Sequence, residues 1–196
     1  MPASTYREVL DFWFGTPNSP DYRQSRPMWF RKSDAFDAEL TEKFGPLVAQ
    51  ALDGQLDHWS QDRADAEPPL AFILLLDQMT RNIHRGTPRM FAGDGQALLT
   101  ARAMVAAGQD QGLLPVQRQF CYLPFEHAED RAAQAESLRL FEALKAFPAT
   151  ADVHQWAVSH AVIIERFGRY PHRNEVLGRP STPDELEFLK QPGSSF

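Results

Sequence analysis

The chain has 196 residues, 43% of them hydrophobic, a net charge of −6 and one cysteine. That length and apolar share suit one helical domain spanning residues 1–196. The acidic balance speaks against a nucleic-acid partner, which needs a basic excess or stripe. The lone Cys121, between Phe120 and Tyr122, excludes an intrachain disulfide and suggests an inert buried thiol in a reducing compartment. Met1-Pro2-Ala3-Ser4 does not begin a secretory signal, and the longest strongly apolar run, residues 71–76, is too short to span a bilayer. The expected location is cytoplasmic, with no membrane partner.

Helical periodicity dominates the chain. Thr5 and Glu8 have capping-box spacing ahead of Val9, Leu10, Trp13 and Phe14, and residues 15–17 end this helix. A loop to about residue 33 carries Met28, Trp29 and Phe30, aromatic or apolar residues suited to the core or to a dimer contact. Phe36, Leu40, Phe44, Leu47, Val48 and Ala51 then predict an amphipathic helix, broken or kinked at Gly45-Pro46 and stopped at Gly54. Residues 61–69 read as a polar connection. The helix from Leu70 is apolar on most faces and should be central. Asp94 is positioned to cap the next helix, which carries Leu98, Leu99, Ala101 and Met104 as far as Gly108.

Pro115 suits a first helical position. A long helical segment is expected over residues 126–147. Thr150 is placed to cap a helix whose apolar face holds Val153, Trp156, His160, Ile163, Ile164 and Phe167. Thr182-Pro183-Asp184-Glu185 is a strong helix start, after which Leu186, Phe188 and Leu189 should dock. Paired β-strand patterns and a repeat of fixed period are not evident.

Three polar clusters abut apolar segments. The first holds Asp77, Gln78, Arg81, Asn82, His84, Arg85 and Arg89. Asp77 and Arg81 share a helix face, and the arginines suit either a helix C-terminus or forked binding of carboxylate or phosphate. The second is Glu126-His127-Ala128-Glu129-Asp130, whose acids fit a helix N-terminus or acid–base chemistry. In the third, Gly168 and Pro171 imply a turn that aims His172, Arg173 and Asn174 at one place, beside Arg166 and Arg169. His160 reads as a hydrogen-bonded core histidine. No zinc-protease, paired-cysteine, serine-elbow or phosphate-loop motif is present, and no cofactor or metal is expected.

Residues 9–15, 76–89, 122–130 and 166–174 resemble, in order, the bacterial family catalogued as domain of unknown function 924. The resemblance implies an all-α array of antiparallel helix pairs, similar to the right-handed superhelix of tetratricopeptide-repeat folds, and no established activity. The chain departs from the family pattern at Met79-Thr80, where Phe-Pro is usual, at His84, where an aromatic is usual, and at Ala128, where serine is usual. The last departure counts against a serine nucleophile there.

The leading expectation is a binding domain. Its ligand, a small anion or acidic peptide end, would meet a groove of Asp77, Arg81, Asn82, Arg85, Arg166, Arg169, Arg173 and Asn174. The rival is a hydrolase or lyase in which His127 or His172 is the acid–base group and Glu126 orients it. A third reading is a buried polar network that only ties helices together. The sequence leaves the oligomeric state open.

Overall fold

The computed structural model describes residues 5–22 and 24–195; the N-terminal residues 1–4, read above for a signal, lie outside the described residues. Every regular element among the described residues is helical, and no helix is long and apolar enough to cross a membrane. Helix α1 (Tyr6–Phe14) starts in the expected capping box of Thr5 and Glu8. The loop after it is tied back to the end of α1. The Trp29 indole donates to Trp13 O at 2.9 Å, and Arg26 donates to the carbonyls of Phe12 and Trp13. These bonds serve carbonyls that a helix end leaves without partners. Trp29 is buried, whereas Phe30 is 60% exposed with its ring stacked on Phe120.

Helix α2 (Asp34–Leu52) passes through Gly45-Pro46 without the expected break. Pro46 and Glu42 both lie exposed, so water can reach the Glu42 carbonyl that proline leaves without a donor. The buried stripe Phe36, Leu40, Phe44, Leu47, Val48 and Ala51 carries the helix across. After α3 (Asp57–Ser60), α4 (Glu67–Ile73) starts ahead of the apolar run, with Pro68 and Pro69 in its first turn, where missing N–H groups cost least.

Helix α4 continues into a π-helical segment, Leu74–Met79, and on into α5 (Thr80–Ile83). Residues 68–80 are all buried, so this is the central helix, as its composition implies. Two contacts accompany the π segment. The Thr80 hydroxyl donates to Leu76 O at 2.6 Å, and Gly93 packs directly against the Leu76 backbone. π segments are rare and recur at functional sites, because they re-aim the side chains they carry.

Gly93, not Asp94, is the N-cap of α6 (Asp94–Ala106), and no side chain caps this helix. Asp94 is drawn away to Arg81. Leu99, read as part of the apolar face, is 62% exposed; Ala97, Thr100, Ala101 and Met104 are buried instead. Helix α7 (Pro115–His127) runs through Pro124, and extended backbone at Ala128 separates it from α8 (Arg131–Leu144). Asp130 caps α8 by accepting from Ala133 N at 2.7 Å. Glu126 and His127 therefore end one helix and do not begin another.

Thr150 sits in a 3-10 turn and donates to Leu144 O, so it does not cap α9 (His154–Phe167). Trp156 lies 54% exposed, outside the buried face of Ala157, His160, Ile163 and Ile164. Gly168, at φ 72°, closes α9 in the left-handed conformation and leads to the 3-10 turn Pro171–Arg173. Helix α10 (Pro183–Phe188) has the expected capping box; Phe188 packs on Phe167, while Leu186 is 54% exposed. One apolar core runs from Val9 to Ala157, with a smaller cluster of Ile163, Ile164 and Tyr170 beside it. Helix α8 lies against α7 and α9, and α4 against α1, α3 and α6.

Candidate functional site

The π segment, the end of α7, the start of α6 and the turn after α9 converge on Asp77. Its carboxylate is fully buried. His127 Nδ1 lies 2.7 Å from Oδ1, and Gln78 Nε2 donates to Oδ2 at 2.6 Å. Arg81 donates to the Asp77 carbonyl and stands 3.4 Å from Oδ1. Burial alone would raise the Asp77 pKa, but the charge that His127 takes up at the acid pH where Asp77 titrates, the charge of Arg81 and the bonds to His127 and Gln78 hold it well below the usual carboxylate range. His127 is pulled the other way. Burial lowers its pKa by more than Asp77 restores, so the imidazole is neutral at physiological pH.

A neutral imidazole beside an ionised carboxylate donates from Nδ1, which leaves the lone pair on Nε2. No described residue hydrogen-bonds Nε2, and that atom is absent from the fully buried, unpartnered set. The basic nitrogen therefore reaches accessible space while its ring is anchored from behind.

Arg81 turns both arms of its fork on Asp94, at 2.8 and 3.0 Å. Arg173, 7% exposed, approaches Asp94 Oδ2 only to 3.5 Å; its guanidinium carbon lies 4.8 Å from the Phe91 ring centre and 4.4 Å from that of Tyr170. Tyr170 is fully buried; its hydroxyl donates to Glu126 O and accepts from Gln134 Nε2 at 2.9 Å.

Behind His127, the Glu126 carboxyl approaches His160 Nδ1 at 3.2 Å, and His160 Nδ1 also lies 2.9 Å from Trp156 O. The spacing suggests an ion pair, but the protonation states do not. Burial, then the charge on Asp77, pushes Glu126 up to about 8. Burial, then His127, pushes His160 down to about 3. At neutral pH a neutral carboxyl faces a neutral imidazole. His172, its ring 5.6 Å from Tyr170, is pushed down to about 4 by burial and then by Arg173.

These shifts set a pH profile. Glu126 is 4.5 in its ordinary state and about 8 when folded, so folding takes up a proton between those values and stability falls as pH rises through them. His160 and His172 are ordinarily 6.5 and lie at about 3 and about 4 when folded, so stability falls as pH drops below 6.5. Thermal melts across pH should peak near 6.5. Glu126→Gln should abolish the decline between 6.5 and 8 and leave the acid limb in place. A wild-type profile flat across that alkaline interval would refute the assignment for Glu126.

The residues singled out from sequence separate into three places. Asp77, Arg81, Glu126, His127 and Arg173 share the centre just described, with His172 at its edge. Asn82 and Arg85 both bind Asp37 on α2, at 2.7 Å for the amide and at 2.7 and 3.0 Å for the guanidinium. Arg166, Arg169 and Asn174 lie by α10. Arg166 stacks on Phe167 and Phe188, Arg169 forks onto Glu185, and Asn174 donates to Ser181 and Glu185. An open depression of ≈ 480 Å³ is lined by Arg166, Phe167, Arg169, Thr182, Asp184 and Glu185, away from Asp77.

Asp94, Phe91, Gln134, His160 and Tyr170 were not among the sequence candidates. A signal existed for Asp94, an acid at a helix start without a capping-box partner; none distinguishes Phe91 or Gln134 from ordinary helix residues. Cys121 is buried, its thiol pushed up by burial and then by Asp110, as expected for an inert thiol. Among the described residues, no group of three or more His, Cys, Asp or Glu side chains is arranged to hold a metal ion.

Fold and centre together define an all-helical protein with a buried aspartate–histidine pair flanked by two arginines. Residues 9–193 match the model of a family described as a bacterial protein of unknown function, DUF924, and the chain belongs to that family. It is also similar to a solved structure of a protein of unknown function, ATU0120, from Agrobacterium tumefaciens. The two are 38% identical, with a TM-score of 0.80, over 94% of this chain and 96% of that one. No curated protein matched.

Proposed function

We propose that this protein is an enzyme of hydrolase or lyase type whose general acid–base group is His127 and whose ligand is a small anion. The observation that carries the reading is the 2.7 Å contact between His127 Nδ1 and buried Asp77, with Nε2 left open. An ionised carboxylate on Nδ1 fixes the tautomer and ring orientation and favours the imidazolium formed when Nε2 takes a proton. Asp77, and not Glu126, is the orienting carboxylate. Arg81 and Arg173 stand where negative charge developing on a ligand would be offset.

The test is turnover. His127→Asn keeps an N–H close to the Nδ1 position and removes the basic Nε2. Purified protein is screened against chromogenic carboxylic and phosphate esters and against β-eliminating anions. Turnover that drops at least ~100-fold in His127→Asn, with the fold retained by circular dichroism, supports general acid–base catalysis. Turnover equal in both proteins would sink it.

A second reading, a network that only holds helices together, is favoured by the complete burial of Asp77 and the bonds made to both of its oxygens. It predicts a loss of stability in His127→Asn and no substrate for either protein.

A further inference from the structure

Arg173 stands out from the other arginines of the centre. Arg81 and Arg85 each fork onto a carboxylate, whereas no described residue accepts a hydrogen bond from the Arg173 guanidinium. The two Asp94 oxygens are already bound by Arg81, and at 3.5 Å Arg173 makes an ion pair with Asp94 but not a hydrogen bond. Nε is fully buried without a partner. The terminal nitrogens are absent from that buried set, so they reach accessible space. Phe91 and Tyr170 pack on the guanidinium, which holds the side chain in place and leaves its donors unused. Burial, then the charge on Arg81, works against the Arg173 cation. A buried arginine with this many unspent donors is a cost to the fold unless something else accepts them.

We propose that Arg173 is the anion anchor of this centre, taking the terminal carboxylate or phosphate of the small molecule on which His127 acts. A guanidinium edge matches two oxygens of either group through parallel hydrogen bonds. Arg81 and Asp94 connect the anchor to the Asp77–His127 pair, since Arg81 touches both aspartates and Asp94 touches both arginines. The anchored group thus sits in the same polar centre as Nε2. The inference rests on the acid–base reading for what happens to the ligand, but not for the binding itself.

The test is binding without turnover. Wild type, Arg173→Met and His127→Asn are titrated with inorganic phosphate and, separately, with malonate, reading calorimetric affinity and melting temperature. Wild type should bind one of the two saturably, with a rise of roughly 5–10 °C at a hundredfold excess over Kd. Phosphate alone assigns a phosphorylated ligand, and malonate alone a carboxylate. Arg173→Met should lose at least about tenfold in affinity, because the guanidinium edge that would pair with two anion oxygens has gone. His127→Asn should bind within about twofold of wild type.

Absence of binding to wild type, or equal binding by Arg173→Met, overturns the anchor and leaves the role of His127 to be judged by turnover alone. If Arg173→Met fails to fold, Arg173→Lys is read in its place. It keeps the charge and loses the fork, so affinity undiminished in that variant overturns the proposal.

Discussion

Asp77→Ala should cost about 3–5 kcal/mol of stability, the range for removing one partner from a buried charge network. Around Asp77 two arginines face two aspartates, Arg81 and Arg173 against Asp77 and Asp94. Removing one carboxylate leaves a net positive charge in a buried site. It also strands the Nδ1 donor of His127 and the amide donor of Gln78, for both of which Asp77 is the acceptor. Asp77→Asn should cost less, because the side chain keeps an oxygen for His127, although its amide then meets the Gln78 donor. Urea unfolding of the three proteins at neutral pH reads the difference directly. A loss below about 1 kcal/mol in Asp77→Ala would mean that water replaces the carboxylate and that the centre is wetter than its burial implies. The Asp77 pKa is depressed below its ordinary 3.8, so its contribution is complete above that pH and is lost as pH falls below it.

Gly93→Ala should cost about 3 kcal/mol or more, or prevent folding altogether, although it adds one methyl group. A Cβ at Gly93 would lie 2.4 Å from Leu76 O, 2.7 Å from Leu76 Cβ and 2.9 Å from Leu76 Cα. These atoms belong to the backbone and near side chain of the central helix, so they have little freedom to give way. The backbone at Gly93 is ordinary, at φ −91°, so the requirement is for space and not for an unusual conformation. The position matters to the site because Asp94 follows directly and Leu76 immediately precedes Asp77. Thermal melting is the first measurement, with a drop of about 6–12 °C expected from ~3 kcal/mol. If Gly93→Ala folds, its affinity for the anion bound by wild type reports whether displacement of Asp94 from Arg81 reaches Arg173. A variant melting within a degree of wild type would show that the start of α6 can move away from the π segment at no cost, contrary to the packing described.

Local rules read from the sequence account for much of the fold. The capping boxes at Thr5 and Thr182, proline at the start of α7, the turn at Gly168 and the apolar central helix depend on neighbours within a few residues, so the chain alone determines them. The grouping of Asp77 with Arg81 is of the same kind, being one helical turn. Where the chain misled, a distant partner had outweighed a local preference. Asp94 leaves its capping role because Arg81, thirteen residues away, offers two charge-assisted bonds. Helix α2 crosses Pro46 because its buried stripe continues on the other side. The segment from Glu126 divides at Ala128, which places His127 at a helix end.

The candidate site was legible as residue types and illegible as geometry. Arg81, Glu126, His127 and Arg173 attract attention as polar groups beside apolar runs, but so do Arg85 and Arg169, and the sequence treats them alike. Tertiary packing separates them by pairing Arg85 with Asp37 and Arg169 with Glu185, and leaving Arg173 against two rings with no hydrogen-bond acceptor among the described residues. It also brings Asp77 and His127 together, fifty residues apart, through a π segment that the hydrophobic pattern does not reveal. The sequence by itself determined the helical class, the central helix and the stock of chemically able side chains, because these follow from periodicity and composition. Which of those side chains are spent on one another, and which remain open to a ligand, was decided only by the tertiary structure, because a charge is neutralised by what lies near it in space.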